Sequence, residues 1–207
     1  MFNAVTRPAA APSAAPRSPH QQALDDLRYI RSAVESAGEF TAVSGRGGVA
    51  IGVTGLLAAV AAAAQTALPM RWLAIWLTAA VIGTTIGVLS MAYKSRRAGV
   101  SLVSAPARRF ALAFFPAIAA AAALTIVLIS RAEFDLLPAV WLLLYGVAIS
   151  AGGALSVRVV PFMGLVLLLT GCAALLVPFA TANLLLGLGF GVVQIGGGLV
   201  IIRRYGG

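Results

Sequence analysis

The side chains best suited to act as acid, base, nucleophile or metal ligand are few in this sequence: His20, Cys172 and the carboxylates Asp25, Asp26, Glu35, Glu39, Glu133 and Asp135. Their spacing assembles no known constellation. A lone histidine cannot supply a bis-His haem site, a His-rich metal centre or a paired general base. Glu133 and Asp135 stand beside Arg131 and read as an ordinary polar loop rather than a metal site. No Walker loop is present, and one cysteine cannot form an intramolecular disulfide or a redox pair. Cys172 reads as a small apolar packing residue. The expectation is a chain with no catalytic, cofactor-binding or metal-binding residues.

A second class of candidates lies within the apolar runs: Thr54, Thr78, Thr84, Thr85, Ser150, Thr125, Thr170 and Gln194. Serine and threonine in such helices usually bond to their own i−4 carbonyl. Gln194 is larger, and an amide in hydrocarbon must find a partner. It is therefore expected to face another helix, with Thr84 and Thr85 as further candidates for polar contact between helices, each bond contributing about 0.6–2 kcal/mol. Gly48 with Gly52, Gly83 with Gly87, and Gly187 with Gly191 have the GxxxG spacing that lets helix backbones approach closely. Pro116 can kink the run that contains it.

The elements that must position these residues follow from composition and charge. With 60% hydrophobic residues, 10% charged residues and a mean hydropathy of +0.98, the chain is too apolar for a water-soluble globule, a disordered chain or a coiled coil. Charge-free intervals lie at 47–70, 72–93, 110–130, 136–157 and 159–202. A crossing needs about 20 helical residues, so the first four intervals hold one span each and the last holds two. Pro178 ends one of these, and Asn183 suits the N-cap of the next. The expected fold is all-α, a polytopic bundle of six transmembrane helices at about 47–67, 71–93, 108–130, 136–156, 159–178 and 183–202, the domain running over 44–207. The runs lack the alternation of a transmembrane β-barrel.

The fifteen Lys and Arg sort by side. Arg7, Arg17, Arg28, Arg31, Arg46, Lys94, Arg96, Arg97, Arg108, Arg109, Arg158, Arg203 and Arg204 share one face, against Arg71 and Arg131 on the other. Positive charge is retained inside, which places both termini in the cytoplasm. The net charge of +9 needs no nucleic acid; Lys94, Arg96, Arg97, Arg108 and Arg109 are expected to meet anionic lipid headgroups or a partner.

Residues 1–20 are a Pro/Ala-rich tail with no apolar run suited to a signal peptide, and are expected to be disordered. Over 21–43, Leu24, Leu27, Ile30, Val34 and Ala37 recur at helical spacing opposite Asp25, Asp26, Arg28, Arg31, Glu35 and Glu39. This pattern predicts an amphipathic cytoplasmic helix, either lying on the membrane surface or docking a second copy or a cytoplasmic protein. Ser44-Gly45-Arg46-Gly47-Gly48 reads as a flexible joint to the first span. The segments Leu68-Pro69-Met70-Arg71-Trp72 and Leu137-Pro138-Ala139-Val140-Trp141 are alike, as a parallel repeat of helix pairs or as two helix starts each carrying an interfacial Trp anchor.

The stretch Leu24–Gly45, with Trp141-Leu142-Leu143-Leu144-Tyr145-Gly146, Ser156-Val157-Arg158-Val159-Val160-Pro161 and Arg203-Arg204-Tyr205-Gly206-Gly207, resembles a family of six-span, acidobacterial-type bacterial membrane proteins, which implies a bacterial inner membrane. The resemblance implies that the N-terminal helix belongs to the module. That family has no assigned activity, so the resemblance implies no catalytic residue and no cofactor. Two functions fit the sequence: a non-enzymatic structural, assembly or sensory membrane subunit, and a small transporter or channel for a neutral or apolar solute. A polar cavity lined by Gln194, Thr84 and Thr85 would favour transport, and a dry helix contact the subunit.

Overall fold

The computed structural model describes residues 21, 24–30, 44–97, 104–154 and 156–205. The chain divides into two units, 1–37 and 38–207. In the first, Gln21 and 24–30 are helical, Leu24, Leu27, Tyr29 and Ile30 are exposed, and Arg28 pairs with Asp25 at 3.1 Å across one turn. The rest of the expected 21–43 helix and the 1–20 tail lie outside the described residues.

The second unit contains α1 (Gly45–Ala63), α2 (Pro69–Arg97), α3 (Ala105–Ser130), α4 (Leu137–Gly153), α5 (Val159–Ala174) and α6 (Phe179–Tyr205), with a 3-10 turn at Phe134–Leu136 and a π segment, Leu188–Val193, inside α6. Helices α1, α2, α3, α6 and the stretch Phe134–Gly153 are long and apolar enough to cross a membrane; α5 is apolar but has 16 residues. This is a multi-pass all-α membrane bundle.

Local chemistry moves several expected ends. The Gly-rich segment at 44–48 is not a joint: Ser44 is an N-cap whose Oγ accepts from the Gly47 N–H at 3.2 Å, so α1 begins at Gly45. α6 starts at Phe179 behind an extended Pro178, and Asn183 sits a turn inside it instead of capping it. The Asn183 side chain is spent elsewhere, as described below. α3 ends with Ala132 in the left-handed region at φ 59°, which lets the Glu133 N–H reach back to the Leu128 carbonyl at 2.9 Å. α3 runs on through Pro116.

Glycine decides which helices touch. α1 and α6 run antiparallel along a seam: a Cβ on Gly45 would lie 2.6 Å from the Gly198 carbonyl oxygen, one on Gly52 2.7 Å from that of Gly191, and one on Gly55 2.5 Å from that of Phe190. Gly48 faces Gly198, and Gly187 meets Ala59. At Gly45, Gly52 and Gly55 these are approaches to the backbone of α6 that only a missing side chain permits. A second seam joins α4 to α5, where a Cβ on Gly146 would lie 2.9 Å from the Leu168 nitrogen and one on Gly164 2.6 Å from that of Ser150. Gly83 and Gly87 differ. Each faces the Ile51 side chain at ordinary distance, 3.7 and 3.6 Å, so neither marks a close backbone approach.

The bundle is ordered α2, α1, α6, then α5 and α4, with α3 on the outer side of α4. The main core lies where α1, α2, α4, α5 and α6 meet, around Ala62, Trp72, Leu137, Leu142, Leu167, Ala182 and Leu186. Near the opposite end, Met91 of α2 and Phe110 of α3 pack on Ala107. That end carries Arg46, Lys94, Arg96, Arg97, Arg108, Arg109, Arg158, Arg203 and Arg204; Arg71 and Arg131 are at the other.

Candidate functional site, a buried tryptophan and amide node

Trp72 and Trp76 lie four residues apart, on one face of α2, and that face is turned into the core. Their indole N–H groups need acceptors once buried. Both find the same one. Trp72 Nε1 donates to Asn183 Oδ1 at 2.8 Å and Trp76 Nε1 donates to it at 3.0 Å, while Asn183 Nδ2 donates to the Ala59 carbonyl at 3.1 Å. Asn183 and Trp72 are 0% exposed, so all three bonds are dry. One amide therefore ties α6 to α1 and α2.

The aromatic rings carry the node to the other half of the bundle. Trp72 stacks on Trp141 of α4 at 5.6 Å and 13°, and meets Phe179 of α6 at 4.8 Å. Trp141 Nε1 donates to Thr125 Oγ1 of α3 at 2.8 Å, and that hydroxyl donates to the Ala121 carbonyl at 2.7 Å. The two segments that resemble each other in sequence thus converge, and Trp72 and Trp141 are members of a stack rather than separate interfacial anchors.

Nearer mid-bundle, Gln194 Nε2 of α6 bonds to the Tyr145 hydroxyl of α4 at 2.7 Å. The Tyr145 ring packs on Phe190 at 4.9 Å and edge-on to Phe114 at 6.2 Å. Gln194 is thus held in a dry contact between helices. Thr84 and Thr85 are not part of it: both are exposed on α2, and Thr85 donates to its own Val81 carbonyl at 2.8 Å. Of the three polar residues singled out by sequence, Gln194 alone is buried, while Thr84 and Thr85 stay on the exposed face of α2.

No family model, curated protein or solved structure matches this chain. Amide, indole and hydroxyl groups hold no proton to exchange near neutral pH. Among the described residues no three of His, Cys, Asp and Glu come together as metal ligands would. What the arrangement does well is fix five helices in one register, because each buried polar group is satisfied only when its neighbours are in place.

The sequence alone gives Asn183 to a cap, leaves Thr125 to its i−4 carbonyl, a bond it makes while also accepting from Trp141, and assigns no role to Tyr145. The available signal was the Trp72/Trp76 pair at i,i+4, two buried donors on one face that required an acceptor from another helix. The α4/α5 seam was announced by Gly146 and Ser150 at small-xxx-small spacing.

The basic residues of the α2–α3 connection fall at one end of the bundle. Arg97 lies over the Tyr93 ring at 4.8 Å on the same helix, Ser95 is buried, and Arg108 and Arg109 are exposed in the first turns of α3.

Proposed function

We propose that the chain is a non-enzymatic bacterial inner-membrane subunit, structural, assembly or sensory in role, whose bundle is a rigid frame and whose partner contacts lie in residues 21–43 and the basic α2–α3 connection. One observation carries this reading: the amides within the bundle, Asn183 and Gln194, are buried and consumed by bonds between helices. A conduit for a neutral or apolar solute would need such groups turned toward a passage.

In this reading α5 is a sixth span, and both termini are cytoplasmic. Sixteen residues extend about 24 Å, short of a core of roughly 30 Å, a mismatch that local thinning and the apolar flanks can absorb. Support comes from the α4/α5 glycine seam, which sets α5 antiparallel alongside a helix long enough to cross. Charge supports the orientation, since the end bearing nine of the described basic residues is the end a cytoplasm retains.

The test is the size of the detergent-solubilised native assembly with and without residues 21–43. Loss of a larger assembly on deletion is the expected result. An unchanged assembly, or solute flux in vesicles containing only this protein, would overturn the reading. A C-terminal reporter fusion that is exported would overturn the topology.

A further inference from the structure

The outer flank of α3 is not smooth. Arg108, Ala111, Leu112, Phe115, Pro116 and Ala119, on one helical stripe, line a shallow furrow of about 360 Å³. The stripe spans twelve residues, about 18 Å of helix, a little over half of a hydrocarbon core of roughly 30 Å. It is apolar over this length and has one charge, Arg108, at its mouth. That matches the shape and polarity of one lipid leaflet: a charged head above a chain reaching the midplane.

The charge at the mouth has no acidic residue nearby in sequence, because none occurs between Glu39 and Glu133. Arg108 and Arg109 also stand in the first turns of α3, where the helix dipole disfavours cations and favours an anion. The Ser104 hydroxyl one turn earlier is buried and lacks a hydrogen-bond partner. Met91 and Phe110 packing on Ala107 brings this start of α3 to the end of α2, the helix that carries Arg96 and Arg97.

We propose that this flank of α3 is a discrete binding site for one anionic phospholipid, its phosphate held at Arg108 and an acyl chain lying along Ala111–Ala119. The proposal rests on the bundle being membrane-embedded, and it goes beyond the diffuse attraction of basic loops to headgroups by naming a single seat.

The experiment is lipid retention by the full-length detergent-solubilised protein in native mass spectrometry, with phosphatidylglycerol and phosphatidylcholine of identical chains. One phosphatidylglycerol is expected to be retained in preference to phosphatidylcholine. Arg108→Gln should weaken retention about fivefold, and Arg158→Gln at the same end of the bundle should leave it unchanged. Ala119→Trp, which fills the furrow on an exposed face, should weaken it without changing thermal unfolding. Equal retention of the two lipids, equal effects of Arg108→Gln and Arg158→Gln, unaffected binding in Ala119→Trp, or displacement by glycerol 3-phosphate at the concentration of the lipid would each overturn the proposal. Failure of the chain to remain in carbonate-washed membranes would instead overturn the membrane reading, so the two failures are distinguishable.

Discussion

Replacing Asn183 by Leu keeps the volume of the side chain and removes its acceptor and its donor. Two indole N–H groups, on Trp72 and Trp76, are then buried without this partner, and the Ala59 carbonyl loses the bond from the amide. Bonds between helices in membranes contribute about 0.6–1.7 kcal/mol each, and orphaned buried groups in protein cores cost about 1–3 kcal/mol. With two orphaned donors dominating, the expected loss is about 2–4 kcal/mol. The assay is reversible unfolding in mixed micelles followed by intrinsic fluorescence, which is well placed because all three tryptophans of the chain belong to the node. Trp72→Phe removes the N–H and keeps a ring, so a cycle of Asn183→Leu with Trp72→Phe should show a coupling of about 1 kcal/mol. If Asn183→Leu stays within about 0.5 kcal/mol of the parent, the range of a neutral surface change, and the cycle is additive, the node is not what holds these helices.

Two further outcomes follow from backbone geometry. Gly55→Ala in α1 drives a Cβ to 2.5 Å from the Phe190 carbonyl oxygen and should cost about 1–3 kcal/mol, whereas Gly87→Ala in α2 meets only Ile51 at 3.6 Å and should be neutral or gain up to about 1 kcal/mol; the same unfolding assay compares them. Ala132→Gly should stabilise by about 1 kcal/mol, because Ala132 sits at φ 59° where a Cβ is penalised, and a lower unfolding midpoint would contradict the assigned turn.

The membrane class and the places of the helices were legible because charge is expensive in hydrocarbon, so the gaps between Arg46, Arg71, Lys94, Arg109, Arg131, Asp135, Arg158 and Arg203 bracket the apolar runs. Helix starts were less legible, since they depend on single groups: the Ser44 cap and extended Pro178 move the starts of α1 and α6 by two and four residues. The partner choices were legible only in part. Gly48 and Gly52 carry the spacing of a true seam, but Gly83 and Gly87 carry the same spacing and face a side chain, because a GxxxG pair states that an approach is possible and not what approaches. Asn183 was misread for a related reason. An asparagine after a proline is a good cap locally, and only the distant Trp72 and Trp76 donors make it more valuable inside the helix.

If the polar groups of the bundle are dry ties between helices, a charged thiol reagent does not reach them. On a Cys172→Ala background, Gln194→Cys and Glu133→Cys are exposed to such a reagent from both sides of sealed and opened vesicles. Glu133 is exposed in the turn after α3, and Gln194 is buried against Tyr145. Rapid labelling is expected at position 133 and none at position 194. Labelling at 194 as fast as at 133 would place water beside that amide and contradict a dry tie.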